Sequence, residues 1–183
     1  MYTVKDGGGT TTDATSVELT DPGFNAAPSE AVGSLGLQVG SDEIDSVTWA
    51  LSAPFSDSLR GLTSDGHPLD LAPGSVDVNG TTTPIDLGYF DANSNWVRVL
   101  YITLDPTDGS YDVTLSRAID QPDSEKVVFP LSVRVEDKDG DITLADFNVT
   151  VLDGSPPSVD PTNAELVDPA LTRLVSPKVS VWG

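Results

Sequence analysis

The sequence predicts an all-β protein, an antiparallel, immunoglobulin-like β-sandwich with long loops that calcium stabilises. Short apolar segments alternate with turn residues at the spacing of β domains, and no segment shows a convincing helical period. The chain has 183 residues, of which 38% are hydrophobic, so it can bury a core. Its formal charge is −20, from 29 Asp and Glu against 9 Lys and Arg, and so much carboxylate repulsion calls for bound cations.

Composition along the chain divides it into three parts. Residues 1–15 contain the run Gly7-Gly8-Gly9 and predict a flexible leader. Residues 16–155 form the predicted sandwich, which we expect to be a ligand-binding module. Residues 156–183 begin within the Gly-Ser-Pro-Pro stretch at 154–157 and predict an exit linker or a C-terminal extension that could dock elsewhere.

The early strands are predicted at three short apolar segments, which are residues 35–39, 47–51 and 76–78. The next strand, residues 96–104, is apolar on both faces and is therefore expected to be central in its sheet. Simple alternation places Trp96 on the same face as Leu100 and Ile102.

Two hairpins follow in the predicted order of strands. Residues 105–110 form a loop with an Asp-Gly turn, and it leads to a strand with Tyr111, Val113 and Leu115 on one face. Residues 129–136 then alternate apolar and polar side chains, and alternation resumes at Phe147 after an acidic stretch. The tip of this second hairpin is therefore acidic.

Oxygen atoms are the available ligands for a metal ion in this chain. The sequence contains no Cys and one His, which excludes thiolate sites and sites that need two imidazoles. Oxygen-only ligation favours hard cations, and calcium accepts six to eight oxygens in flexible loops. We expect several Ca²⁺ ions.

The best candidate for a calcium site is the stretch Asp-Lys-Asp-Gly-Asp at residues 137–141. Asp137, Asp139 and Asp141 stand at alternate positions, and Gly140 allows the tight turn that brings their carboxylates together. The spacing is not that of an EF-hand, because the glycine is at the fourth loop position. The alternative is a solvated hairpin tip. Asp153 is predicted to complete this site.

Further candidate metal ligands lie in three other acidic segments, where ordinary turn chemistry is the alternative. These candidates are Asp105, Asp108 and Asp112 around the first hairpin, Asp42 beside Glu43 and Asp45, and Asp91 with Asn93 in the stretch 91–95. Tyr89 and Phe90 precede the last of these segments, and we predict that they contact a ligand.

Several functions are disfavoured by the sequence. The negative charge would repel nucleic acid and anionic membrane surfaces, and no apolar run reaches the ~20 residues of a membrane span. Ser64, Asp65 and His67 are neighbours, but catalytic triads assemble from distant segments and no Gly-x-Ser-x-Gly elbow is present. We expect a binding protein and not an enzyme.

The C-terminal half resembles the repeat domain of giant RTX adhesins that are exported by type I secretion. The resemblance lies in the order of an Asp-Gly-Tyr hairpin, an Asp/Pro loop, a Phe-led strand and an Asp-rich turn. These features occupy residues 108–115, 119–122, 129–141 and 147–153. The glycine-rich nonapeptide repeats that name the RTX group are absent.

The resemblance implies a calcium-dependent module of a large bacterial surface adhesin. Such a module would be extracellular and monomeric within a longer chain, and would bind a peptide or protein on another cell surface for attachment and biofilm formation. The chain is much longer than a simple ~100-residue immunoglobulin-like spacer, and the extra length before Trp96 offers room for a binding surface, which favours binding over mere extension. A carbohydrate-binding (lectin) module and a structural, calcium-rigidified extender stay open as alternatives.

Overall fold

A computed structural model describes residues 12–22, 26–38, 43–75, 78–120 and 126–154. It confirms the all-β, sandwich-like prediction. The first sheet has the strand order β1-β11-β10-β3 and the second β2-β9-β8-β7-β6, and a separate two-stranded ribbon pairs β4 with β5. Within the described residues, no helix is long and apolar enough to cross a bilayer.

The strands of the first sheet are β1 (Val17–Thr20), β3 (Ile44–Trp49), β10 (Lys126–Asp137) and β11 (Ile142–Leu152). Strands β10 and β11 form the long predicted hairpin, in which Phe129 pairs with Val149. The pairing of β1 with β11 is parallel, whereas the other pairs of this sheet are antiparallel.

The strands of the second sheet are β2 (Ser29–Ser34), β6 (Asp70–Leu71), β7 (Ile85–Phe90), β8 (Trp96–Leu104) and β9 (Ser110–Leu115). Strand β8 lies between β7 and β9, as its two apolar faces predicted. The ribbon consists of β4 (Thr63–Ser64) and β5 (His67–Pro68).

The core lies between the two sheets. The rings of Tyr111 from β9 and Phe147 from β11 stack across it, with centroids 4.2 Å apart. Trp49 is 1% exposed and its indole N–H donates to the carbonyl of Thr83, so the core contains no unpaired indole donor at this position. The one described helix, α1 (Ala53–Ser58), inserts Phe55 into the same core.

Two predicted strands differ in the structure, and some of its elements were not predicted. A strand was expected at residues 35–39, but the strand in this region is β2, which ends at Ser34. The extended chain stops there because Gly36 has φ of +60°. Helix α1 and strand β7 were not predicted, because their sequences show no recognisable helical or alternating pattern. Val78 is buried but lies outside a strand, and residues 76–77 are outside the described part.

The edges of the sandwich were predicted at residues 16 and 155. Within the predicted leader, the amides of Asp13 and Thr15 donate to the carbonyls of Leu35 and Ser34, so these residues are tied to the sandwich. Residues 1–11 and the predicted extension 156–183 lie outside the described residues.

Candidate metal site and ligand groove

The turn between β10 and β11, residues 137–141, is closed by its own backbone. The amide of Asp137 donates to the carbonyl of Asp141 at 3.1 Å, and the amide of Gly140 donates to the carbonyl of Asp137 at 3.1 Å. Gly140 has φ of +92°, a conformation that side chains disfavour. We call these five residues the acidic turn.

The acidic turn brings three carboxylates together. Asp137, Asp139 and Asp141 each offer one oxygen, and these oxygens all lie within 4.8 Å of one another. Asp137 is 3% exposed, whereas the other two side chains face solvent. The cluster can hold a metal ion, and three carboxylate donors suit a hard cation.

The electrostatics of the acidic turn also favour a cation. A hydrogen bond shared with the carboxyl of Asp137, followed by partial desolvation and by the charges of Asp137 and Asp141, raises the pKa of Asp139 to about 6. Two facing carboxylates retain a proton when nothing else separates them. A divalent ion would replace that proton and neutralise the repulsion.

Glu43, the residue before strand β3, fixes the acidic turn from the side. The backbone amide of Lys138 donates to the carbonyl of Glu43 at 3.0 Å, and its ammonium group pairs with the Glu43 carboxylate. This pairing lowers the pKa of Glu43. Asp42, a predicted ligand from this segment, lies outside the described residues.

The predicted ligands around the first hairpin do not form a second cluster. Asp105 accepts the amide of Thr107 at 2.7 Å, and Asp108 accepts the amide of Ser110 at 2.8 Å. Asp112 lies on strand β9, outside the turn. These two turn carboxylates therefore close their own turn, which is the alternative that the sequence left open.

The turn between β7 and β8, residues 91–95, is built in the same way. Asp91 accepts the amides of Asn93 and Asn95 at 2.8 Å each, and the side-chain amide of Asn95 at 3.1 Å. These donors lower the pKa of the Asp91 carboxyl. Asn93 contributes its backbone amide to this arrangement.

Asp153 does not join the acidic turn. It follows β11, whose 11 residues span about 36 Å, so it lies at the opposite end of the sandwich. There it lines a cavity of about 430 Å³ with Asp21 and Asp120. Burial, together with the charges of Asp153 and Asp120, raises the pKa of Asp21 to about 6, although the amide of Ile119 opposes this shift. The sequence reasoning missed Asp21.

The two predicted ligand-contacting residues lie in a groove at the β6 edge of the second sheet. The cavity has a volume of about 640 Å³. Its lining is mostly apolar and consists of Pro68, Leu69, Asp70, Leu71, Pro73, Tyr89, Phe90 and Trp96. We call it the aromatic groove, and its size and lining are those of a ligand site.

The aromatic rings of this groove are held in place. Tyr89 stacks on His67 with centroids 4.6 Å apart, and its hydroxyl donates to Asp65 at 3.1 Å. Phe90 is 52% exposed and meets the ring of Trp96 edge to face at 5.1 Å. A large exposed aromatic side chain beside a concave apolar surface is typical of a contact site.

A β-bulge places Trp96 in the groove. The β7–β8 register shifts between Leu87 and Gly88, so Trp96 faces away from Leu100 and Ile102, contrary to the prediction from alternation. Its indole N–H donates to Asp86 at 3.1 Å on the outer face of the sheet.

Ser64, Asp65 and His67 bond to different groups. The Ser64 hydroxyl donates to the carbonyl of Ala118 at 2.7 Å, while Asp65 pairs with Arg117 and His67 stacks on Tyr89. The hydroxyl of Ser64 therefore bonds to a backbone carbonyl and not to the imidazole.

Comparison with known sequences places most of the chain in one family. Residues 3–150 match the model of a domain of unknown function (DUF5801). No curated protein and no solved structure matches the chain. Since the match spans well over half of the 183 residues, the chain belongs to the DUF5801 family.

Proposed function

We propose that this protein is a calcium-dependent ligand-binding module of a large bacterial surface adhesin of the RTX type. It is exported by type I secretion, acts outside the cell, and binds a peptide or protein on another surface during attachment and biofilm formation. The observation that carries the calcium part is the convergence of three carboxylates in the acidic turn. The adhesin part rests on the resemblance in the C-terminal half.

Calcium is the ion that best suits this turn. The donors are carboxylates on a surface loop, and calcium accepts irregular oxygen shells that backbone carbonyls and water complete, whereas magnesium demands a tight octahedron. Asp137, Asp139 and Asp141 would hold the ion. Bound there, it would supply positive charge that holds the β10–β11 hairpin tip together.

The overall charge supports folding outside the cell. A net charge of −20 opposes compaction unless cations bind. Extracellular modules bind calcium with a Kd of roughly 10⁻⁴ to 10⁻³ M, so the ion would bind after export and remain largely unbound in the cytosol. Calcium thereby couples secretion to folding.

Ligand binding is supported by the aromatic groove. A module that serves only as an extender has no use for an apolar cavity of about 640 Å³ with a half-exposed phenylalanine at its rim. The groove contains the two residues, Tyr89 and Phe90, that precede the turn at residues 91–95.

Thermal unfolding tests the metal part of the proposal. We expect the melting temperature to rise with millimolar calcium and to fall after chelation, because an ion that binds only the folded state stabilises it by mass action. Magnesium at the same concentration is the control and should act weakly. An unchanged melting curve after chelation would overturn the calcium proposal.

Peptide and glycan arrays, probed with the calcium-loaded protein, test the binding part. Binding to peptides supports the proposal, binding to glycans alone would make the protein a lectin, and two blank arrays with a calcium-stabilised protein would leave the extender.

A further inference from the structure

We infer that the aromatic groove binds a peptide segment that carries a lysine or arginine next to proline or aliphatic residues, and that the ion of the acidic turn does not touch this ligand. The inference rests on the proposed function as a peptide-binding module. It names the binding surface and the chemical class of the ligand.

The first argument concerns the polar atoms of the aromatic residues. The hydroxyl of Tyr89 donates to Asp65, and the indole N–H of Trp96 donates to Asp86. The hydroxyl and indole donors are therefore already bonded within the protein, and the rings offer their carbon surface to a ligand. A sugar needs several polar partners for its hydroxyl groups, whereas proline rings and aliphatic stems bind to aromatic carbon surface without them.

The accessible aromatic surface is concentrated on two rings. Tyr89 is 7% exposed and one of its faces is covered by His67, so it forms a fixed wall. The ring planes of Phe90 and Trp96 lie at 69° to each other, so the pair offers a face and an edge to a ligand. Extended proline-rich segments bind to such aromatic surfaces, and a guanidinium group can stack on them.

The second argument concerns charge. The two arginines near the groove are paired, since Arg98 binds Asp86 at 2.6 Å and Arg117 binds Asp65 at 3.2 Å. Asp70 lines the groove, is exposed, and accepts a hydrogen bond from the amide of Leu71 at 2.8 Å. A cationic ligand group is the complement of this rim.

The same charge argues against other occupants. A second copy of the chain would bring another net charge of −20 to an acidic rim, and an anionic glycan would meet the same repulsion. A short basic peptide gains from that field in both affinity and association rate.

The third argument concerns position. The groove is at the Trp96 end of β8, whose nine residues span about 30 Å. The acidic turn is at the other end, because Glu43 contacts Lys138 and lines a cavity together with Pro106, just beyond β8. The ion can therefore affect the ligand only through the stability of the fold.

Titration with two end-blocked pentapeptides tests the inference. The probes are Pro-Pro-Arg-Pro-Pro and Pro-Pro-Glu-Pro-Pro, each with a fluorescent label for anisotropy measurements. We expect the arginine peptide to bind about tenfold more tightly than the glutamate peptide at low salt, with the difference shrinking as salt is added.

Three variants locate the site. Phe90→Ala should weaken binding about tenfold or more, as loss of a central aromatic contact does. Asp70→Asn should weaken the arginine peptide and leave the glutamate peptide unchanged or improved. Val32→Ala, at a residue 70% exposed on the opposite edge strand of the same sheet, is the matched control and should bind as wild type does.

The calcium experiment measures the peptide affinity of the wild-type protein in calcium and in chelator, at a temperature where both samples are folded, and we expect equal affinities. A large loss of affinity in the folded, calcium-free protein would overturn the separation of ion and ligand. If the Phe90→Ala variant still binds peptides on the array, the groove is not the binding site, while the proposed function stays intact. Equal binding of both pentapeptides, or of neither at millimolar concentration, would overturn the ligand class. Glycan binding that Phe90→Ala abolishes would assign the groove to a sugar.

Discussion

Two turns of this protein, residues 91–95 and the acidic turn, each begin with an aspartate but have opposite chemistry. In residues 91–95, one carboxylate receives three N–H donors, and the pKa of Asp91 falls. In the acidic turn, carboxylates face one another, and the pKa of Asp139 rises to about 6. The carboxylate of the first turn is satisfied by N–H donors without a ligand, whereas the carboxylates of the second would gain from a cation. What a carboxylate faces, N–H donors or other carboxylates, distinguishes a structural turn from a candidate metal site.

Matched substitutions in the two turns should produce the largest contrast. Asp139→Asn should remove most of the calcium-dependent stabilisation, which for wild type amounts to about 2.7 kcal/mol at a calcium concentration 100 times the Kd. Asp91→Asn should lower the melting temperature equally with and without calcium, because it removes an acceptor of local hydrogen bonds. Calorimetric melting curves in calcium and in chelator measure both effects. A full calcium response in Asp139→Asn would place the ion elsewhere.

The carboxylates at the far end offer a second comparison, because Asp21 combines burial with like charges. A folded-state pKa of about 6, against the ordinary value of 3.8, means that the folded state binds more protons between these values. Stability should therefore fall as pH rises from about 4 to 7, by up to about 3 kcal/mol for this group. Asp21→Asn can still accept the amide of Ile119 and should raise stability at neutral pH in chelator. Urea unfolding across this pH range would detect it, and a neutral-pH loss of stability in the variant would contradict the assignment.

Substitutions at the positive-φ residues of the two turns should have a smaller effect on stability. Gly140 and Ser94 both have positive φ, +92° and +63° respectively. Gly140→Ala should destabilise the protein by about 1 kcal/mol, and Ser94→Gly should stabilise it by up to about 1 kcal/mol, because left-handed conformations strain residues that have a Cβ. No atom lies within 4 Å of a Cβ added at Gly140, so the expected cost is conformational and not a clash. Equal and opposite changes in the urea midpoint would sharpen the comparison, whereas effects of the same sign would break it.

The fold was predictable where a strand is long and its apolar residues follow the period of a β-strand. Strands β8, β9, β10 and β11 have long alternating or doubly apolar patterns, and each appears where the pattern placed it. Strand β7 was missed because Asp86 and Gly88 interrupt its apolar run, although the arginine and indole of β8 later neutralise and cover that aspartate. Such compensation comes from another strand and leaves no local pattern.

The candidate sites were predictable only at the level of single turns. The acidic turn is encoded by adjacent residues, so its convergence could be anticipated from spacing. Asp153 was assigned to it although an 11-residue strand separates the two, a distance that strand geometry alone excludes. The groove depends on a register shift at Gly88, where a Cβ would lie 2.1 Å from the carbonyl oxygen of Val97. The alternation of apolar and polar residues in the sequence does not predict such a bulge.

The parallel pairing of β1 with β11 has a mechanical consequence. Residues 17–20 run alongside residues 149–152 in the same direction, so tension applied to the two chain ends would pull these strands past one another along their axes. Ladder bonds lie across the strands, and sliding would load the four paired residues together instead of opening them one at a time. In the proposed role, in which the module is tethered between a cell and its target, the protein would resist drag through this short seam.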